Sequence, residues 1–301
     1  MSETPVKKAG FAEWKEAARP HTFGNAFAPV IAGSGVAAWD GSFILVRAIL
    51  AGLVAWALII GTNFANDYSD GIRGTDEDRT GPLRITASGL AEPKTVKRAA
   101  FICFGIAGVF GLILVALAGA WWMVLVGIAC VLAAWFYTGG THPYGYMGLG
   151  EVFVFIFFGL VAVMGTEFTQ SGVVSVPGVA AAIGLGSISA GVNLANNIRD
   201  IHTDAEAGKR TLAVMLGDEW ARRLFLTLIT MPFVAAVVIA FYTPWALCAF
   251  IVAPLVWKAS YPVRSGATGR DLIPVLGATG KAMIAWAVVM ALALAVPGLI
   301  G

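Results

Sequence analysis

Apolar runs of membrane-spanning length recur along the whole chain, near residues 22–39, 44–66, 97–118, 121–138, 150–166, 176–197, 224–241, 244–258 and 279–298. About 20 apolar residues in a helix match the hydrocarbon thickness of a bilayer. Nine such runs, the eighth rather short, require lipid as the solvent. The composition agrees, since the 301 residues are 58% hydrophobic and 13% charged, against roughly 45–50% and about 25% for a water-soluble domain. No compact soluble core could absorb that much apolar surface. The expected fold class is therefore all-α: a polytopic membrane protein of about nine transmembrane helices around a central cavity, with residues 1–301 forming a single domain.

Cys103, Cys130 and Cys248 lie inside apolar runs without metal-type spacing, which argues against a disulfide framework or a zinc site. Residues 1–20 are polar and lack the apolar core and cleavage site of a secretory signal, so they read as a cytosolic or interfacial lead-in. A net charge of +2 gives no reason to expect a nucleic-acid partner. Its distribution is more informative. Every Lys and Arg except Arg47 falls in the lead-in or in the stretches after the second, sixth and eighth runs. Positive charge in short loops marks the cytoplasmic side. With nine spans, a cytoplasmic N-terminus puts all of these groups on one face and the C-terminus outside.

The second run ends in Asn63-Phe-Ala-Asn66-Asp67-Tyr68-Ser-Asp70, and the sixth in Asn193-Leu-Ala-Asn196-Asn197-Ile-Arg199-Asp200. The shared pattern Asn-x-x-Asn-(Asp/Asn)-x-x-Asp suggests two pseudo-repeats of four helices plus one. An isolated Asp or Asn at a helix end is usually a solvated boundary residue. A pattern repeated at matching positions is a functional signal, because intramembrane acids are costly. At helical pitch Asn66 and Asp70 form one stripe, and Asn196, Asp200 and Asp204 another. Two facing stripes of oxygen donors would need a compensating cation. Mg²⁺ suits them, since it takes hard oxygen ligands and is commonly shared between carboxylates and substrate phosphates. Asp67 and the loop acid Asp76 complete the candidate metal set of Asn66, Asp67, Asp70, Asp76, Asn196, Asp200 and Asp204. Bases interleave with the acids, Arg199 among them, and Arg73, Arg79, Arg84, Lys209 and Arg210 are the candidate diphosphate grips. Ordinary cytoplasmic positive charge is the bland alternative for any one of them.

These motifs resemble the UbiA superfamily of intramembrane prenyltransferases, whose Asn-x-x-x-Asp element with a following Asp matches Asn66, Asp70 and Asp76, and whose Asp-x-x-x-Asp element matches Asp200 and Asp204. Arg19-Pro20, Asn66-Asp67-Tyr68, Gly74-Thr75-Asp76, Tyr137-Thr138-Gly139-Gly140, Gly148-Leu149-Gly150-Glu151 and Gly208-Lys209 with Thr211-Leu212-Ala213 are similar to the branch that prenylates 1,4-dihydroxy-2-naphthoate in menaquinone synthesis. The resemblance implies transfer of a polyprenyl group from its diphosphate to that ring, with loss of the ring carboxylate, giving demethylmenaquinone. It also implies Mg²⁺ as cofactor, and Asp70, Asp200 and Lys209 as the central catalytic residues. Tyr68, Tyr137, His142, Tyr144, Glu151 and Asn25 are candidates for the acceptor or carbocation site. Other aromatic acceptors, 4-hydroxybenzoate or homogentisate, stay open. A cation-coupled transporter is the alternative of another class, though its site belongs near the bilayer midplane. A CDP-alcohol phosphotransferase would need an Asp-Gly-x-x-Ala-Arg string that the chain lacks.

Overall fold

The computed structural model describes residues 8–74 and 83–300, with side chains to residue 296. Among the described residues every regular element is helical. A short α1 (Phe11–Ala17) precedes α2 (Gly24–Trp39), α3 (Leu45–Arg73), α4 (Pro93–Ala118) and α5 (Met123–Phe136). Next come α6 (Gly150–Ser171), α7 (Val176–Arg199), and the short α8 (Ile201–Glu206) and α9 (Leu212–Leu216). The chain ends with α10 (Asp218–Ala240), α11 (Pro244–Arg264) and α12 (Ile273–Ile300). Seven of these helices are long and apolar enough to span a bilayer. The shorter α5 and the 16-residue α2 occupy the other two expected runs, so nine is an approximate count. The chain is an integral membrane protein.

Local chemistry sets the boundaries. Gly74 and Gly119 end α3 and α4 in the left-handed conformation, and Pro93 and Pro177 sit in first turns, where an amide hydrogen is not needed. The Ser175 side chain accepts the Gly178 N–H to open α7. The most extensive helix pairs are α3 with α4, α7 with α10, α6 with α7, and α2 with α12. The first two are equivalent positions of the two four-helix units. Helices α3 and α4 each bury 28% of their most apolar stretch, whereas α7 buries 83% and forms the centre of the bundle. Without a hydrophobic effect between lipid-facing helices, close approach of small residues supplies the packing. Gly159 on α6 lies so close to Gly186 on α7 that an added Cβ would come within 2.4 Å of the Gly186 Cα. That contact falls inside a π-helical segment of α6, Phe155–Val161.

The two motifs sit differently on their helices, and one expectation about them needs correction. The second apolar run ends near residue 66, but α3 continues to Arg73 and carries the first motif from Asn63 to Asp70. Asn66, Asp67 and Asp70 are all buried, so the helix needs no exit to water to accommodate them. Conversely, the stripe Asn196, Asp200, Asp204 is not one helical row. Asp200 leaves helical geometry (φ −98°, ψ 11°) and separates α7 from α8.

Candidate active site

A cavity of about 380 Å³ opens between the helices and is polar at one end, apolar over the rest. Its polar end is lined by Asn66 and Asp70 from α3, Arg84 from the following loop, and Asn196, Asp200, Asp204 and Lys209 from the α7–α9 region. Both motifs therefore meet in one cavity. Below them, Ala51, Val54 and Leu58 of α3, Leu114 of α4, Val126 of α5, and Phe157 and Val161 of α6 continue as an apolar tube.

The carboxylates are held by close partners. The Tyr146 hydroxyl donates to Asp70 Oδ1 at 2.5 Å, and Arg84 Nη2 lies 3.3 Å from Asp70 Oδ2. Arg199 donates through Nε and Nη2 to the two oxygens of Asp200 at 2.7 and 2.5 Å, a buried bidentate pair. Lys209 Nζ stands 3.7 Å from Asp204 and 4.8 Å from the centre of the Tyr146 ring. Tyr146 thus joins the two motifs, its hydroxyl on one and its ring face beneath the cation of the other. Asn66 Oδ1 accepts from Thr138 at 2.8 Å. The 137–149 loop that supplies Thr138 and Tyr146 is tied to α3 by Arg73, which donates to the carbonyls of Thr138 and Gly140.

Aromatic rings mark the transition from polar to apolar lining. Tyr137 packs edge-on to Tyr144 (5.5 Å between centroids), Tyr144 stacks on Phe153 (4.0 Å), and Phe153 stacks on Phe157 (6.0 Å), all four against the cavity. Tyr144 donates to the Ala133 carbonyl, and burial beside Tyr137 raises its phenol well above the usual range. Asn25 also lines the cavity, with its Oδ1 buried and without a hydrogen-bond partner among the described residues. His21 faces the same space, where burial, then Arg19 and Arg199, hold its imidazole below the usual 6.5 and favour the neutral form.

Other expected residues sit elsewhere. Asp67 does not line the cavity: its oxygens accept the backbone N–H groups of Ile85 (3.1 Å) and Thr86 (2.9 Å), so both are used to anchor the 83–92 segment. Its place in the candidate metal set is corrected to that of an anchor. Tyr68 stacks on Trp135 under Lys97, away from the cavity. Arg73 serves the loop carbonyls, the Arg210 side chain is exposed, and His142 is exposed beside Thr141. Glu151 is buried behind the lining, accepting from Asn193 (3.2 Å) and Asn197 (2.6 Å), whose side chains do line it. Asp76 and Arg79 lie outside the described residues. Tyr146, Arg199, His21 and Arg19, which stand outside the candidate metal, diphosphate and acceptor sets, also line the cavity. Arg19 is the one non-glycine residue with positive φ (54°) among those described, which its Arg-Pro context does not announce.

Asn66, Asp70, Asn196, Asp200 and Asp204 offer hard oxygen donors to one space, which fits a divalent ion shared with substrate phosphates. They do not fit a closed protein cage, since no three acids, histidines or cysteines among the described residues are grouped closely enough to hold an ion by themselves.

Comparison with known proteins supplies the family. Residues 26–272 match the UbiA prenyltransferase family. A 1,4-dihydroxy-2-naphthoate octaprenyltransferase of Mycobacterium tuberculosis is 51% identical over 95% of this chain and 98% of its own length. The Escherichia coli protein so named is 37% identical over 83% of this chain and 85% of its own. Among solved structures, the apo UbiA homolog from Aeropyrum pernix superposes with a TM-score of 0.69 at 16% identity, covering 91% of this chain and 98% of that one. A UbiA homolog from Archaeoglobus fulgidus bound to DMAPP and Mg²⁺ gives 0.64 at 14% identity, with coverage of 94% and 99%. The structural likenesses carry the fold, and the sequence matches carry the membership: this chain belongs to the UbiA prenyltransferase family.

Proposed function

We propose that the chain transfers a polyprenyl group from an allylic diphosphate to 1,4-dihydroxy-2-naphthoate, with release of carbon dioxide and diphosphate, forming the quinol form of demethylmenaquinone. The observation that carries this reading is the single cavity, whose acid- and base-lined end continues into an apolar tube. From Asn66 to Ala51 that tube runs about 22 Å along α3 at 1.5 Å per residue, a shape suited to a headgroup followed by an isoprenoid. The names of the 51% and 37% identical relatives support naphthoate as the acceptor. A transport site near the midplane is disfavoured, because the polar rows gather at one end of the bundle. The distribution of Lys and Arg supports a cytoplasmic position for that end and an outside position for the C-terminus.

Asn66, Asp70, Asn196, Asp200 and Asp204 are the donors for Mg²⁺, which when bound supplies Lewis-acid neutralisation of the diphosphate. Arg84, Arg199 and Lys209, each beside one of those carboxylates, grip the diphosphate oxygens and stabilise the negative charge that grows as the allylic C–O bond breaks. The aromatic ladder from Tyr137 to Phe157 faces the resulting carbocation, each ring contributing about 0.5–2 kcal/mol. The apolar tube keeps water from capturing it. His21, its imidazole pKa lowered, and Asn25, whose acceptor oxygen has no partner among the described residues, lie where an aromatic acceptor with hydroxyl groups can be held.

The test uses purified protein, a polyprenyl diphosphate, and parallel incubations with dihydroxynaphthoate, 4-hydroxybenzoate and homogentisate, each with Mg²⁺ or a chelator. Product is expected with dihydroxynaphthoate and Mg²⁺ only. Preference for another acceptor overturns the acceptor assignment, and full turnover in chelator overturns the metal.

A further inference from the structure

Helices α11 and α12 leave a second cleft of about 280 Å³ on the lipid-facing side, which shares no lining residue with the reaction cavity. Its walls follow helical spacing on both sides: Leu255, Ala259 and Pro262 on α11, Val275, Ala278 and Ala282 on α12. Two cations, Lys258 and Lys281, project into this otherwise apolar lining, and among the described residues no acid lines it. Neither lysine has a hydrogen bond or ion pair among the described residues, and both are exposed. The depth is marked independently. Trp257 and Tyr261, adjoining the cleft on α11, are exposed aromatics with the Arg264 guanidinium 3.5 Å and 5.8 Å from their ring centres. Exposed Trp and Tyr beside basic residues are the pattern of the membrane–water interface. The cleft opens at the end of the bundle that carries both motifs, because Arg222 near the start of α10 bonds the carbonyls of Val263 and Ala267.

We infer that this cleft is a binding site for one anionic phospholipid, with the headgroup phosphate between Lys258 and Lys281 and an acyl chain along the small-residue walls. Charge complementarity selects the occupant. Two cations at headgroup depth above an apolar groove match an anionic headgroup above a hydrocarbon tail, and basic pockets between transmembrane helices bind such lipids. A second copy of the chain is a poor fit, because a two-fold contact through this face would bring the same lysines together. Simple snorkelling of each lysine into bulk headgroups would give no site and no saturable preference.

The test is native mass spectrometry of the full-length protein in a neutral detergent, titrated with phosphatidylglycerol or phosphatidylcholine of matched chains. The wild-type chain is expected to retain phosphatidylglycerol about 30-fold more tightly, from two basic residues at headgroup depth. The double substitution Lys258→Gln with Lys281→Gln removes that preference while leaving the helical circular dichroism unchanged, and Lys258→Arg with Lys281→Arg preserves it. Equal retention of the two lipids, or an undiminished preference in the glutamine variant, overturns the proposal. So does displacement of phosphatidylglycerol by inorganic phosphate or by a polyprenyl diphosphate at equal concentration, or a change from dimer to monomer in the glutamine variant.

Discussion

Replacing Asp67 separates an anchor from a metal ligand, two roles that its place in the first motif does not distinguish. Both Asp67 oxygens accept backbone amides from the 83–92 segment, at 3.1 and 2.9 Å, and the side chain is 1% exposed. Asp67→Ala leaves two buried N–H groups unsatisfied, at about 1–3 kcal/mol each, or about 2–6 kcal/mol together. Removing a buried carboxylate recovers part of its desolvation cost, which leaves a net loss of about 2–4 kcal/mol. Asp67→Asn keeps one accepting oxygen and turns an amide donor toward the other N–H, so its loss should be intermediate. The segment that loosens also carries Arg84, which touches Asp70. Turnover should therefore fall in step with stability rather than vanish. Thermal and denaturant unfolding in detergent, followed by helical circular dichroism alongside turnover, would measure both. An Asp67→Ala protein as stable as wild type but without turnover would refute the anchoring role and return Asp67 to the metal set.

Tyr146→Phe removes the hydroxyl on Asp70 but keeps the ring beneath Lys209, so turnover should fall about tenfold, and further in Tyr146→Ala; equal rates in the two variants would show that the ring contact is idle. The Arg199–Asp200 pair is buried, so Arg199→Leu alone should cost about 3–5 kcal/mol by stranding the carboxylate, whereas Arg199→Leu with Asp200→Asn should recover stability without recovering turnover. Recovery of both in the double variant would remove the pair from the chemistry. His21 is neutral in the folded chain below the pH at which the unfolded chain takes up a proton, so stability should decline as pH drops from about 6.5 toward the lower folded value. Melts of wild type and His21→Gln between pH 7.5 and 5.5 check this: the variant should lose that slope, and parallel curves would contradict it.

The helices were legible because a bilayer imposes a one-dimensional length requirement that apolar runs meet residue by residue. The acidic motifs were legible because they occur twice at helical spacing. Helix geometry could not sort Asp67 from Asp70. At about 100° per residue the two lie only about 60° apart around α3, and what separates them is the 83–92 segment folding back onto Asp67. The stripe ending in Asp204 differs for the opposite reason: one amide and two acids in register presuppose one unbroken helix, and the chain breaks at Asp200 itself, although all three residues reach the cavity. The partners of Tyr146 and Arg199 were hidden differently. A tyrosine in a glycine-rich loop acquires meaning only from Asp70, 76 residues away, and Arg199 looked like ordinary positive charge beside a membrane.

The pairing of acids with bases explains how such a site can persist beneath a bilayer surface without its substrate. Asp70, Asp200 and Asp204 each have a cation within reach, at 3.3, 2.5 and 3.7 Å, so none is a bare charge in a poorly solvated cavity. Each pair is also a divided version of what an incoming metal diphosphate would need, an oxygen ligand for the ion and a cation for the phosphate. Binding then exchanges partners rather than creating charges, and the desolvation cost is largely met in the folded chain. The same arrangement selects against simple anions, which could satisfy the bases only by stranding the carboxylates, and against simple cations, which would strand the bases. A metal-bound diphosphate at the head of an apolar chain would satisfy both rows and fill the tube below them, which is the ligand that the proposed function calls for.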